Sequence, residues 1–347
     1  MNLIKPPRLK KGDTVAVVTL SWGGPSVYPQ RYAAGLRQLA ETFDLRVVEM
    51  KHATASADWL YDHPEKRAED WMEAVADPDI KAIVTSIGGD DTIRLLPYVD
   101  FDLIRNNPKI FMGFSDTTAN HFMYLKAGVS SFYAPCVMVG FAENAGMHAL
   151  TKDAVRKALF DPAPVGELRP SEEGWTNEFL AWQDPANQSE KRKMSPSAYR
   201  FLQGTKTVRG PLIGGCMEVL EMMKGTPLWP SPETFEGAVL FFETCGADVF
   251  PEKLSWWLRN YAASGIFENA AGVLFGRPGG DGLTEKDFDV YDETILRGLK
   301  EYGLTELPVV TRMDFGHTDP IAVLPYGATA QIDPVARTVT ILDGAVV

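Results

Sequence analysis

Three residues in separate parts of the chain have the side-chain types of a serine hydrolase: Ser115 in GFSDTT, Glu243 in GAVLFFET and His317 in DFGHTDP. A serine hydroxyl is a weak nucleophile until a base removes its proton, and that base is usually a histidine held by a carboxylate. Ser115 ends the apolar run of 109–114 and opens a helical pattern at Asp116, the setting of a nucleophile elbow. Gly113 stands two residues before it, but Thr117 replaces the second glycine of GxSxG, so the motif is partial. Capping of the following helix is the competing use of Ser115, with Asp116 suiting the first turn.

The chain has five histidines. His52 and His63 lie in polar surroundings, His121 falls inside the helix after Ser115, and His148 opens another helical run. His317 differs, because its loop follows the apolar run LPVV and combines a glycine, a proline and two aspartates. Loops at strand ends are where scaffolds carry catalytic groups. A turn histidine satisfied by Asp314 or Asp319 fits the same residues. Glu243 ends a strongly apolar strand, where a carboxylate needs a partner. A histidine N–H would serve, as would a cap contact or a salt bridge to Lys253 or Arg259. In SIGGDD, Gly88 and Gly89 follow an apolar run, and their N–H groups suit an oxyanion better than a phosphate, which Asp90 and Asp91 would repel. A plain tight turn is the alternative.

These residues need a scaffold that brings distant strand ends together. A chain of 347 residues, 45% hydrophobic and 23% charged, has the composition of a globular protein with room for two domains. Runs at 14–20, 46–50, 81–87 and 109–114 read as strands buried on both faces, and 28–42, 64–76 and 116–126 have helical spacing. That alternation implies an open parallel sheet covered by helices. The stretch 162–204 is polar, rich in proline and tryptophan, and lacks periodicity. Beyond it, 237–243 and 272–275 read as strands and 251–261 as a helix. Runs at 328–332 and 338–342 flank a turn at Asp333–Pro334, a hairpin signal.

The net charge of −12 argues against a broad surface for nucleic acid or anionic membrane. There is neither a secretory h-region nor an 18-residue apolar run, so the expected location is cytoplasmic. Three cysteines without CxxC spacing suggest neither a disulfide framework nor a zinc site, and no metal or cofactor is expected.

PPRLKKGDTVAVVT, SIGGDD, GFSDTT, IGGCMEVLEMMKGT, GAVLFFET, GVLFGRP and DFGHTDP occur in this order along nearly the whole chain. As a set they resemble the LD-carboxypeptidase family of serine peptidases. The long segment with Trp175 and Trp182 resembles the microcin C self-immunity branch most closely. The resemblance implies an α/β protein, with a Rossmann-like parallel-sheet domain over 1–161, a linker and substrate loop over 162–204, and a C-terminal α/β domain with β-hairpin strands over 205–347. It implies Ser115 as nucleophile, His317 as base, Glu243 as its orienting partner, and the N–H groups of Gly89 and Asp116 as the oxyanion hole beside Gly88. It also implies a homodimer without cofactor, acting on a small peptide or aminoacyl nucleotide. The bond cleaved would be the amide between an acidic aminoacyl group and a nucleotide-like moiety, with Trp175 or Trp182 stacking on the base. Packing of the loop is the alternative for both tryptophans. Many murein-cleaving relatives have Asn after the Gly-Gly pair where Cys216 stands here, so trimming of murein tetrapeptides is the second reading. A non-catalytic small-molecule binder is the third.

Overall fold

The computed structural model describes residues 1–246, 251–280 and 282–347. Its strands are β1 (Thr14–Val18), β2 (Arg46–Glu49), β3 (Ile80–Thr85), β4 (Ile110–Gly113), β5 (Phe132–Tyr133), β6 (Gly166–Glu167), β7 (Arg200–Gln203), β8 (Val208–Cys216), β9 (Val239–Glu243), β10 (Gly272–Gly276), β11 (Val309–Met313), β12 (Leu324–Pro325), β13 (Thr329–Asp333) and β14 (Thr338–Ile341).

Among the described residues they form two sheets, ordered β12-β5-β4-β3-β1-β2 and β6-β14-β13-β8-β9-β10-β11-β7. In the first sheet β2, β1, β3, β4 and β5 are parallel and only β12 runs against its neighbour. Strands β1, β3 and β4 are almost entirely buried, as continuous apolar runs under helices on both faces must be. Strand β2 departs from the expectation of burial on both faces. It pairs with β1 alone at the sheet edge, and three of its four residues are exposed. Helices Pro29–Phe43 and Pro64–Ala76 bury one face each, the second around Trp71, which is fully enclosed. Helix Thr118–Ala127 is buried nearly all round, because the first sheet lies on one side and the end of β8 in the second sheet on the other.

In the second sheet β8, β9, β10 and β11 are parallel, and β13 and β14 form the expected antiparallel hairpin. The stretch 162–204 begins and ends in this sheet, since β6 pairs with β14 and β7 with β11. Its middle is tied to the loop after β11: Trp175 bridges Ser195, Thr176 bridges Asp319, and Asp314 accepts from the Ser171 N–H at 2.8 Å and the Ser197 hydroxyl at 3.0 Å. Arg192 pairs with Glu143, and with Asp319 at 2.6 Å. No helix among the described residues is long and apolar enough to cross a membrane.

The strand order 2-1-3-4-5 reverses between β1 and β3, and open α/β sheets bind ligands beyond the carboxyl ends of the strands at such a point. The loops after β1, β3 and β4 meet there, facing the ends of β9 and β11.

Candidate active site

Ser115 leaves β4 with φ of 62°, in the left-handed region that a non-glycine residue enters at a cost of about 1–3 kcal/mol. It opens a 3₁₀ turn, Ser115–Thr117, that leads into the helix, and its hydroxyl does not cap that helix. The Ser115 hydroxyl instead lies 3.0 Å from Nε2 of His317, and Nδ1 of His317 lies 2.6 Å from a carboxylate oxygen of Glu243. The three residues sit 74 to 202 positions apart in sequence and meet only because both sheets present their strand ends to one cleft. Asp314 and Asp319 do not satisfy His317; they are engaged by Arg277 and Arg192. Nor does Arg259 reach Glu243, since it pairs with Glu301.

Close approach sets the sequence here. A Cβ on Gly88 would fall 2.9 Å from the Ser115 Cβ, and one on Gly316, with φ of 94°, would fall 2.7 Å from the Glu243 Cγ. The loop after β3 thereby lies directly against the serine. It is fixed by the Asp116 side chain, which is buried and accepts from the Ser21 hydroxyl at 2.6 Å and from the N–H groups of Asp91 at 3.0 Å and Thr92 at 2.8 Å. Asp91 is in turn held by Arg67 through two hydrogen bonds of 2.7 and 2.9 Å. Burial opposes the Asp91 charge, but Arg67 and then Arg94 outweigh it and hold the carboxyl below its ordinary range. The N–H groups at a helix start have no intrahelical acceptor, which leaves that of Asp116 available beside the serine.

Burial disfavours a charged His317, yet the adjacent Glu243 carboxylate outweighs it and raises the ring to about 9. Tyr133, on β5, completes the arrangement. Its phenol donates to the other oxygen of Glu243 and accepts the Ser115 N–H at 3.1 Å. Burial first, and Glu243 next, push that phenol well above its usual range, so it stays protonated as a donor.

The remaining histidines serve the scaffold. His121 is pulled down to about 3 by burial, donates from Nε2 to the Gly113 carbonyl at 3.0 Å and accepts from Ser131 at 2.9 Å. His52 bonds Asp70 at 2.8 Å and His63 bonds the Trp59 carbonyl at 2.7 Å. His148 lies 3.5 Å from Glu173.

The two tryptophans are placed differently. Trp175 is 4% exposed, with the Arg277 guanidinium over its ring and Phe288 against it, so no face is open. Trp182 is half-buried between Tyr28, Phe179 and Arg31. Tyr28 also packs on Trp22, which is 38% exposed and whose backbone N–H donates to the Gly88 carbonyl at 3.2 Å. A row of aromatics thus runs from the serine loop out to Trp182. Trp22 was open to discovery, being an apolar ring in the SWGGP loop at a strand end. Tyr133 was not, because its partner lies 110 residues away.

Residues 15–134 match the LD-carboxypeptidase N-terminal domain and residues 209–332 the LD-carboxypeptidase C-terminal domain. The chain is 29% identical to the microcin C7 self-immunity protein MccF of Escherichia coli, over 96% of this chain and 94% of that protein. It is 27% identical to a probable murein peptide carboxypeptidase of Bacillus subtilis, over 98% and 95% of the two chains. Among solved structures, MccF in complex with aspartyl sulfamoyl adenosine superposes with a TM-score of 0.85 at 26% identity, covering 99% of this chain and all of that one.

Proposed function

The chain belongs to the LD-carboxypeptidase family of serine peptidases, and from that premise we propose that Ser115, His317 and Glu243 hydrolyse the amide between an acidic aminoacyl group and a nucleotide-like moiety. The observation that carries this reading is the unbroken relay of 3.0 Å from Ser115 to His317 and 2.6 Å from His317 to Glu243. Neutral His317 accepts the Ser115 proton at Nε2 as Oγ attacks the acyl carbon, while Nδ1–H donates to Glu243 and the carboxylate stabilises the imidazolium. The developing oxyanion takes the N–H groups of Asp116 and Gly89, aimed in advance by the buried Asp116 side chain. His317 then protonates the leaving amine, and a water, deprotonated by the same ring, releases the acyl group from Ser115. In this reading Tyr133 is a positioning residue that holds both Glu243 and the Ser115 backbone.

The choice of an aminoacyl nucleotide rests on the branch that the sequence resembles and on the aromatic row. In this reading the leaving group extends from Ser115 toward Trp22, and Trp182 serves as a further ring for a base, whereas Trp175 is buried against Arg277 and Phe288 and packs the loop. The same reading has the protein working in the cytoplasm as a homodimer. Light scattering at micromolar concentration checks the assembly.

A murein peptide carboxypeptidase is the second reading, supported by the 27% identical relative of that name. Hydrolysis of aspartyl and glutamyl sulfamoyl adenosine, measured beside a murein tetrapeptide, separates the two. Release of the amino acid from the nucleoside analogues alone supports the first; cleavage of the tetrapeptide alone overturns it.

A further inference from the structure

Two sets of metal-ligating side chains meet beside the relay and share one member. The Sγ atoms of Cys216 and Cys245 and a carboxylate oxygen of Glu218 lie within 4.8 Å of one another. The same Cys216 Sγ lies within 4.8 Å of a Glu243 oxygen and a His317 ring nitrogen. The spacing of the cysteines carries no zinc signature, but the parallel pairing of β8 with β9 sets Cys216 opposite Glu243, two residues before Cys245. Glu218 binds the two together, accepting from the Cys216 thiol at 3.1 Å and from the Cys245 N–H at 2.7 Å. Cys216 is buried and Cys245 exposed, so the cluster is open to solvent on one side.

Two sulfurs and one carboxylate are a poor set for Mg²⁺ or Ca²⁺, which take oxygen, and a good one for Zn²⁺ and its softer congeners. Zn–S bonds of about 2.3 Å and Zn–O bonds of about 2.1 Å span the observed spacing with small side-chain movements, leaving a fourth position open.

We propose that Cys216, Glu218 and Cys245 form a site for a thiophilic divalent cation of the Zn²⁺ class, and that filling it arrests hydrolysis. As the cation binds, each thiol gives its proton to solvent and the cation takes the two thiolates. From there it competes for the Glu243 carboxylate and the His317 nitrogen, whose mutual hydrogen bond orients the base. The arrest rests on the assignment of the relay as catalytic; the binding site does not.

The test titrates the reduced full-length protein with Cd²⁺ in anaerobic, reductant-free buffer. The expected result is one equivalent bound, with a sulfur-to-cadmium charge-transfer band in the ultraviolet. Cys245→Ser and Glu218→Gln should each weaken binding by at least the roughly tenfold typical of losing an outer-shell partner. In the same samples hydrolysis, as a fraction of each protein's metal-free rate, should fall with occupancy and return on adding EDTA. Binding that is unchanged in Cys245→Ser, or one equivalent bound without the band, overturns the site. Full occupancy with an undiminished rate overturns the arrest. Because the band is read without substrate, a protein inactive on every substrate still tests the site.

Discussion

Replacing Glu243 with glutamine should move the pH dependence of Ser115 reactivity by several pH units. Burial opposes a charged His317, and the Glu243 carboxylate at 2.6 Å reverses this and raises the ring from 6.5 to about 9. That rise is worth roughly 3 kcal/mol of imidazolium stabilisation at about 1.36 kcal/mol per pH unit. The base must be neutral to act, so at pH 7 only about one molecule in a hundred of the free enzyme is competent, and the rate should climb with pH through about 9. Without the carboxylate, burial is opposed only by the smaller effects of Cys245 and Glu218, and the titration falls back toward the ordinary histidine range. The variant should therefore be slow on its plateau but already on that plateau at pH 7. The wild-type advantage should shrink by about a hundredfold from alkaline pH down to neutrality. The assay is the second-order rate of labelling by an uncharged serine-directed phosphonate, which has no titrating group of its own. The pair also contributes to folding stability fully below about pH 6.5, a contribution lost as pH rises through about 9. A wild-type limb near 6.5, or one that Glu243→Gln leaves in place, would refute the reasoning.

Ser115→Gly should lose activity yet gain about 1 kcal/mol in denaturant unfolding, because glycine relieves the strain of a φ of 62°. Tyr133→Phe should destabilise by about 1–3 kcal/mol, since it strips a donor from buried Glu243 and an acceptor from the Ser115 N–H, and turnover should fall with it. Unaltered kinetics and an unaltered melting curve would make Tyr133 a bystander. Trp22→Ala and Trp182→Ala should each weaken sulfamoyl adenosine substrates by about 1–3 kcal/mol in kcat/KM while leaving any murein peptide hydrolysis alone. Trp175→Ala should instead cost about 3–5 kcal/mol of stability. Equal loss on both substrate types would return Trp22 and Trp182 to packing.

Much of the scaffold was legible because buried parallel strands write themselves as uninterrupted apolar runs. The helix expected at 64–76 is observed as Pro64–Ala76, and the hairpin about Asp333–Pro334 is where the turn residues put it. Strand β2 was misread as doubly buried because Val47 and Val48 look like core, while burial is decided by position at the edge, a property of sheet order. Ser115, Glu243 and His317 could each be singled out by residue type at a strand end, but only the fold brings them within hydrogen-bonding reach. The segment 162–204 had no period to read because its order comes from ion pairs and bridges to Glu143, Asp314 and Asp319. Trp175 and Trp182 looked alike in sequence, and only packing against Arg277 and Phe288 separates them.

The most direct test is hydrolysis of glutamyl sulfamoyl adenosine by Ser115→Ala, with folding followed by circular dichroism and ligand binding by calorimetry. The hydroxyl caps no helix and its hydrogen bond is to His317, so the variant should fold and still bind. Its turnover should drop by about 10⁴-fold or more, the scale on which a triad nucleophile is lost. A folded variant that keeps more than about a hundredth of the wild-type rate would contradict the assignment of Ser115 as nucleophile, since removing a true triad serine costs far more than that.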